Sequence, residues 1–477
     1  MSEPASTEPY ARPAPDWLTP AIIGTAFLLQ TLMSTVLANA LPSMSVALGV
    51  NPLRLNMAIT MYLLASAVFL PVSGWAGDRF GARLVFVTAI ILFGISSSAC
   101  GFSQNLPQLI VARIFQGMAA AMMTPVGRLV LLRTTPKDRL VGAMSILTVP
   151  PLLGTMIGPV LGGAIVTYLD WRWIFFINLP VAVMGVILVL RHIPKVEPLG
   201  APKLDWFGVA LTGLGLACLV FGFENLGHPI IPLPAVAALF VIGAGSLWLY
   251  ARYAHGNPRA ILDLSLFDAM TFRAAVVGGS FMRFSISALP FLLALLFQIG
   301  FGMDALQAGL LTFYGGAGAL VMKASAPPIL RRFGFRTVLL VNGFLVAVMS
   351  MAYAFIQPGT PQWLIIAVLL IGGFFRSLQF TSLNGMVYAD VDQPQMSRAS
   401  TLSSMAQQLS QSVGAGLAAL MLHWVMAFQG VSKIDVHVVA PVMFAFGVIS
   451  LISLLYFWRL DRDAGDGMNG RTALAAT

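Results

Sequence analysis

The stretch Gly74-Trp75-Ala76-Gly77-Asp78-Arg79-Phe80-Gly81-Ala82-Arg83 decides how this chain folds. An apolar run ends just before it and another begins just after it. A short polar link between two lipid-soluble helices reads as a tight loop at a membrane surface, since backbone groups outside a helix must reach water or protein. The pattern then returns. Arg79-Phe-Gly-Ala-Arg83 reappears as Arg332-Phe-Gly-Phe-Arg336, 253 residues later and again between two apolar runs. Self-similarity at a fixed offset points to a duplication into two halves, the usual plan of a secondary transporter. The copies differ where Arg331 stands in place of Asp78.

Composition agrees with a chain that lives in lipid. Of 477 residues, 58% are hydrophobic and only 9% charged, with a mean hydropathy of +0.86. Soluble proteins carry about 25% charged residues. Cys100 and Cys218 fall in separate apolar runs without pairing or metal spacing, and read as small core residues. The five histidines are scattered, and no nucleophile–base pair or phosphate loop stands out. The sequence therefore implies no enzyme, no metal and no cofactor. Residues 1–16 are polar and lack the basic-then-apolar layout of a signal peptide, so the chain is expected to start in the cytoplasm.

Runs long enough to span about 30 Å of hydrocarbon occur fourteen times, from Trp17–Leu41 to Val439–Trp458. Lys and Arg test that map. With the N-terminus inside, the cytoplasmic segments hold nineteen and the outer loops only Arg54, Arg172 and Lys433. The +9 net charge thus reports topology, with both termini cytoplasmic in a bacterial inner membrane, rather than a nucleic-acid partner. The repeat offset leaves six spans on either side of two extra ones, a 6+2+6 arrangement. The expected divisions are a tail over 1–16, a six-helix bundle over 17–191, a linker with two additional helices over 192–268, a second six-helix bundle over 269–460 and a tail over 461–477.

Four motifs carry a family resemblance. The link Gly74–Arg83, with Gly74, Asp78, Arg79, Gly81 and Arg83, resembles the loop motif between spans two and three of the major facilitator superfamily. Arg113-Ile-Phe-Gln116-Gly117 in span four is similar to the family's Arg-x-x-x-Gly motif. Gly154-Thr-Met-Ile-Gly158-Pro159-Val-Leu-Gly162-Gly163 in span five resembles the exporter motif of its drug:proton antiporters. Asp170-Trp-Arg-Trp-Ile-Phe-Phe-Ile-Asn178-Leu-Pro180, with fourteen spans, resembles the 14-span branch. The resemblance covers 17 to about 460. It implies an all-α membrane protein of the major facilitator fold, two six-helix bundles plus two extra helices, exporting small compounds in the multidrug manner by alternating access. It also implies that Asp78 and Arg79 form a charge latch holding one access state. Read directly, Gly154, Gly158 and Gly162 share one helix face and let a neighbour approach, while Pro159 frees a carbonyl and bends its helix. In one respect the sequence departs from the family. Its 14-span antiporters usually carry an acid in span one, and here Met33 occupies that place in Leu32-Met33-Ser34-Thr35.

Charges at membrane depth show a matching asymmetry. No Asp or Glu lies in the middle of a span, whereas Arg113, Arg128, Arg283, Lys323 and Arg376 fall inside spans. Burying such a charge costs at least about 2.5–3.5 kcal/mol on insertion scales, and these groups usually face a watery cavity. Arg283 and Arg376 read as mid-membrane and Arg113 as lying in the outer part of span four. Arg128 and Lys323 sit near basic ends, where they either snorkel to the interface or stand as secondary basic candidates for the substrate site. Asn39, Tyr62, Gln116, Tyr314 and Gln379 are polar neighbours at plausible depth, and Met33 offers a soft apolar wall. Unpaired guanidiniums favour anions. The expected substrate is a small anionic or amphiphilic molecule taken from a broad drug-like set, or else a specific organic acid or anionic metal chelate. Protons remain a candidate coupling ion, membrane potential is the alternative drive, and the expected unit is a monomer. A membrane sensor or assembly partner is the competing class.

Overall fold

The computed structural model describes residues 17–50, 52–195, 198, 200, 203–227, 231–257, 259–431 and 433–469. The side chains at 38, 39, 41, 42, 52–54, 56, 159, 305, 306 and 469 lie outside that description, those of Asn39 and Pro159 among them. Among the described residues the chain is helical throughout, with no strand.

The first half comprises α1 (Leu18–Leu48), α2 (Pro52–Phe69), α3 (Val72–Phe80), α4 (Ala82–Phe102), α5 (Leu106–Thr134), α6 (Leu140–Leu147), α7 (Val149–Tyr168), α8 (Trp173–Phe176) and α9 (Asn178–His192). Two helices come next, α10 (Trp206–Gly227) and α11 (Leu233–Ala254). The second half comprises α12 (Met270–Arg273), α13 (Gly279–Leu295), α14 (Ala305–Ala352), α15 (Gln362–Met386), α16 (Met396–Gln429) and α17 (Val436–Trp458), with a short α18 (Asp466–Asn469) beyond it. Twelve of these stretches are long and apolar enough to cross a membrane, or thirteen when α2 and α3 count as one span bent by 57°.

The Gly74–Arg83 link is more ordered than a loop. Helix α3 runs through it to Phe80, and only Gly81 leaves helical geometry, at φ 87° and ψ 129°. Ser73 Oγ donates to Leu70 O at 2.7 Å and steadies the bend after Pro71, whose ring removes a backbone donor. The second copy does the same: α14 is continuous except at Gly334, at φ 74° and ψ 162°. Both conformations suit glycine because it has no Cβ to clash with the carbonyls. The arginines two residues on behave alike. Arg83 donates to Leu190 O near the end of α9, and Arg336 donates to Trp458 O at the end of α17, 3.1 Å away. In each half a cation thus satisfies the exposed carbonyls of that half's last helix. These arginines mark one end of the molecule, its basic end.

Span five divides where the sequence showed one run. It breaks at Thr148 into α6 and α7, since Pro150 and Pro151 open α7 and supply no backbone donors. Helix α10 packs against α11, against α2 of the first half and against α16 of the second, so it bridges the halves along one side.

Candidate functional site

Four of the five interior basic residues donate hydrogen bonds, but not alike, and Arg376 donates none among the described residues. Arg113 on α5 is buried inside the first half. Its Nε donates to Ala58 O at 3.2 Å, its Nη1 donates to Gln116 Oε1 at 2.6 Å, and its guanidinium stacks over the Tyr62 ring at 4.3 Å. Gly117 explains the motif's spacing, because a Cβ there would strike Tyr62 O. Lys323 on α14 donates to Thr381 Oγ1 on α15 at 2.8 Å. Arg376 on α15 is half-buried beside Gly315 and near Tyr353, whose buried hydroxyl has no hydrogen-bond partner.

Arg283 differs in being buried with donors unused. Its Cα stands mid-way along the span, but Nη1 donates to Ala275 O at 3.1 Å, two turns back toward the basic end. A π-helical turn at Ala274–Gly278 disturbs the carbonyl ladder there, and Gly279 leaves the room that Nη1 occupies. Although the residue is only 3% exposed, Nε and Nη2 have no partner. Its electrostatic neighbours are Arg128 on α5 and Tyr388 beyond α15. Arg128 donates to Gln407 Oε1 on α16 at 3.0 Å, so these two cations meet at the seam between the halves. Tyr388 Oη, Asn384 Oδ1 and Ser404 Oγ are likewise buried without partners. None of the five interior cations forms an ion pair among the described residues. Two buried guanidiniums with spare planar N–H groups make a receptor for a carboxylate, sulfonate or phosphate.

The basic end is closed by contacts across the seam. Asp78 pairs with Arg133 of its own half and accepts from Ser397 Oγ on α16. Ser73 Oγ lies 3.3 Å from Thr401 Oγ1, and Ser400 Oγ donates to Pro125 O at 2.9 Å. Gly74 sits directly under Ser397 and Thr401, where any side chain would collide. The partner surface on α16 was not singled out in the sequence, although Ser397, Ser400, Thr401, Ser404 and Gln407 recur at helical spacing. The concentration of Ser, Thr and Gln over 397–412, inside a predicted span, was the available signal.

Other sequence candidates lie elsewhere. Gly154, Gly158 and Gly162 pack on Thr31, Thr35 and Val36 of α1, within the first half, while Gly163 faces open space. Across the seam α7 instead touches α14 through Met156 and Gly316. Met33 lies inside the first half with its Sδ 3.4 Å from Asn178 Nδ2, beside a void of about 10 Å³. Gln379 accepts from Asn342 Nδ2 at 2.8 Å and donates to Leu339 O at 3.3 Å, joining α14 to α15. It does not bond to Arg376. Tyr314 is 37% exposed and touches Phe313 edge-on.

Comparison with known proteins places the chain in a family. The sequence model of the Major Facilitator Superfamily matches residues 23–415 and again 277–471. Among relatives, the "Putative multidrug resistance protein MdtD" of Serratia proteamaculans is 36% identical over 401 residues, covering 84% of each chain. Its namesake in Klebsiella pneumoniae is 37% identical over 402 residues, covering 84% of this chain and 85% of that one. Two solved structures share the fold. The human organic anion transporter MFSD10 superposes with a TM-score of 0.67 at 16% identity, covering 93% of this chain and 99% of that one. The proton:xylose symporter XylE gives 0.64 at 13%, covering 96% and 98%. With this fold, these helices and these relatives, the chain belongs to the major facilitator superfamily and is a multi-pass membrane transporter of the MdtD-like kind rather than an enzyme.

Proposed function

We propose that this protein exports small organic anions from the cytoplasm by alternating access, with the anion held at the seam between Arg283 and Arg128. The observation that carries the reading is the pair of unpartnered Arg283 nitrogens, buried beside a second cation where the halves meet. An uncompensated guanidinium in a membrane interior is costly, and a bound anion offsets that cost. Arg113, Gln116 and Tyr62, Arg376 and Gln379, and Lys323 shape the electrostatics from behind this pair rather than forming one ring with it.

The membrane reading accompanies it. Counting α2 and α3 as one span and dividing α14 at Gly334 gives fourteen spans in a 6+2+6 order. A 48-residue helix would otherwise reach about 72 Å, more than twice the hydrocarbon thickness. The excess of Lys and Arg puts the basic end and both termini in the cytoplasm of a bacterial inner membrane. Asp78, bonded to Arg133 and Ser397, is then the latch of the outward-facing state, and the protein works as a monomer.

A thermal-shift panel of organic anions and cationic dyes on purified protein tests the substrate class. Anions are expected to raise the melting midpoint of the parent and of Arg113→Lys, but not of Arg283→Ala. Stabilisation by cationic dyes alone, unchanged in Arg283→Ala, overturns the reading.

A further inference from the structure

The chain does not end its structural role at α17. Beyond it runs Asp461-Arg-Asp-Ala-Gly-Asp-Gly-Met468-Asn469, polar except for one large apolar side chain, and that side chain is 1% exposed. Leu460, which leads into the segment, is 2% exposed. Gly465 adopts φ 78° and lies so close to Phe335 that a Cβ would come within 2.8 Å of its ring. Helix α18 touches the turn Lys137–Arg139 and α6 in the first half, and α14 in the second. Gly385 of α15 stands at the same place, 3.2 Å from Phe335 and 3.9 Å from Val141 of α6 when given a Cβ. One apolar plug is thus built from the first half, the second half and the segment after the last span.

We propose that residues 460–469 are a strap that holds the basic ends of the two halves together and must release in each transport cycle. A segment anchored at once on α6 and on Phe335 cannot keep both contacts when those ends separate, so its docking energy favours the closed basic end. The polar residues around Met468 keep the released segment soluble, which lets it come and go without exposing a large apolar surface. The inference does not depend on the charge of the substrate.

The test reads conformation, without any substrate. Cys100 and Cys218 are replaced by alanine and Ser404→Cys is introduced as a reporter, buried at the seam in the closed state. Its reaction with a hydrophilic maleimide is timed in detergent-purified full-length protein, in Met468→Asp, in Met468→Leu and in a chain lacking residues 461–477. Met468→Asp and the truncation are expected to label roughly five- to tenfold faster, and Met468→Leu like the parent. Unchanged labelling in variants that elute and melt like the parent overturns the proposal. If Met468→Asp fails to fold, the truncation, which introduces no buried charge, decides alone by the same rate.

Discussion

Arg113 and Arg283 carry the same side chain into the membrane, and only Arg113 is largely partnered there. Arg113 is enclosed by Ala58 O, Gln116 Oε1 and the Tyr62 ring, so its charge is part of the packing of α5 on α2. Arg113→Ala is expected to lower stability by roughly 1–3 kcal/mol for each polar group left buried and alone, read as a fall in the melting midpoint. Arg283→Ala removes a group that had only one bond to lose, Nη1 to Ala275 O. Its midpoint is expected to hold or rise in the absence of substrate, with transport reduced at least about tenfold, the loss of one charge-assisted contact. A fall in midpoint as large as that of Arg113→Ala would make Arg283 a packing residue. The sequence distinguishes the two by depth and by the family motif that holds Arg113, and neither tells how each side chain is partnered. Position along a run tells where a Cα sits, but an arginine side chain spans more than a helical turn, and its direction is set by neighbours remote in sequence. Gly279 and the π-turn that draw Arg283 toward the basic end carry no signature of their own.

Elements repeat what residues do singly. The Gly81 and Gly334 breaks, with Arg83 and Arg336 beyond them, show that the duplicated motif is a device for ending one helix, starting the next and capping a third. Gly334→Ala places a Cβ in a region of backbone space that is almost reserved for glycine and should cost about 1–3 kcal/mol, measured as a lowered melting midpoint. The repeat was legible as a boundary between spans because hydropathy changes there. That α3 continues through it to Phe80 was not, since Gly-Asp-Arg reads as a turn unless the cross-seam contacts of Gly74 and Asp78 are known. The linker adds a second anchor on α16. Burial pushes the Asp263 carboxyl up, but hydrogen bonds from Ser265 and Gln395 and the charge of Arg398 outweigh it, leaving the group below its ordinary value. A depressed carboxylate stabilises the fold above its unfolded pKa and loses that effect as pH falls through the folded one. The tether is therefore expected to be intact at neutral pH and to fade in acid below the usual carboxylate range. Asp263→Asn should flatten that part of a melting-midpoint profile taken from pH 6 to pH 3.

At the scale of the molecule, the two halves meet at a seam where, among the described residues, Arg128 and Arg283 lie in the interior and Asp78 at the basic end. The positive-inside count, the duplication and the family motifs made the fold legible, because each repeats or sums over many residues. The seam was less so, since it depends on which helix faces face each other. Met33 shows the difference: it occupies the family's usual acid position, yet it faces Asn178 inside the first half. On the proposed reading of an exported anion, membrane potential is a sufficient drive without a titrating acid on the route. Moving an anion outward across an inside-negative membrane releases about 2.3 kcal/mol per charge for each 100 mV. Anion efflux from proteoliposomes should therefore rise severalfold with an imposed inside-negative potential and collapse when the potential is clamped to zero. A pH gradient without potential should have little effect. Efflux that follows the pH gradient and ignores the potential would mean that a proton is carried in exchange, and the cationic seam would then account for binding but not for the work of transport.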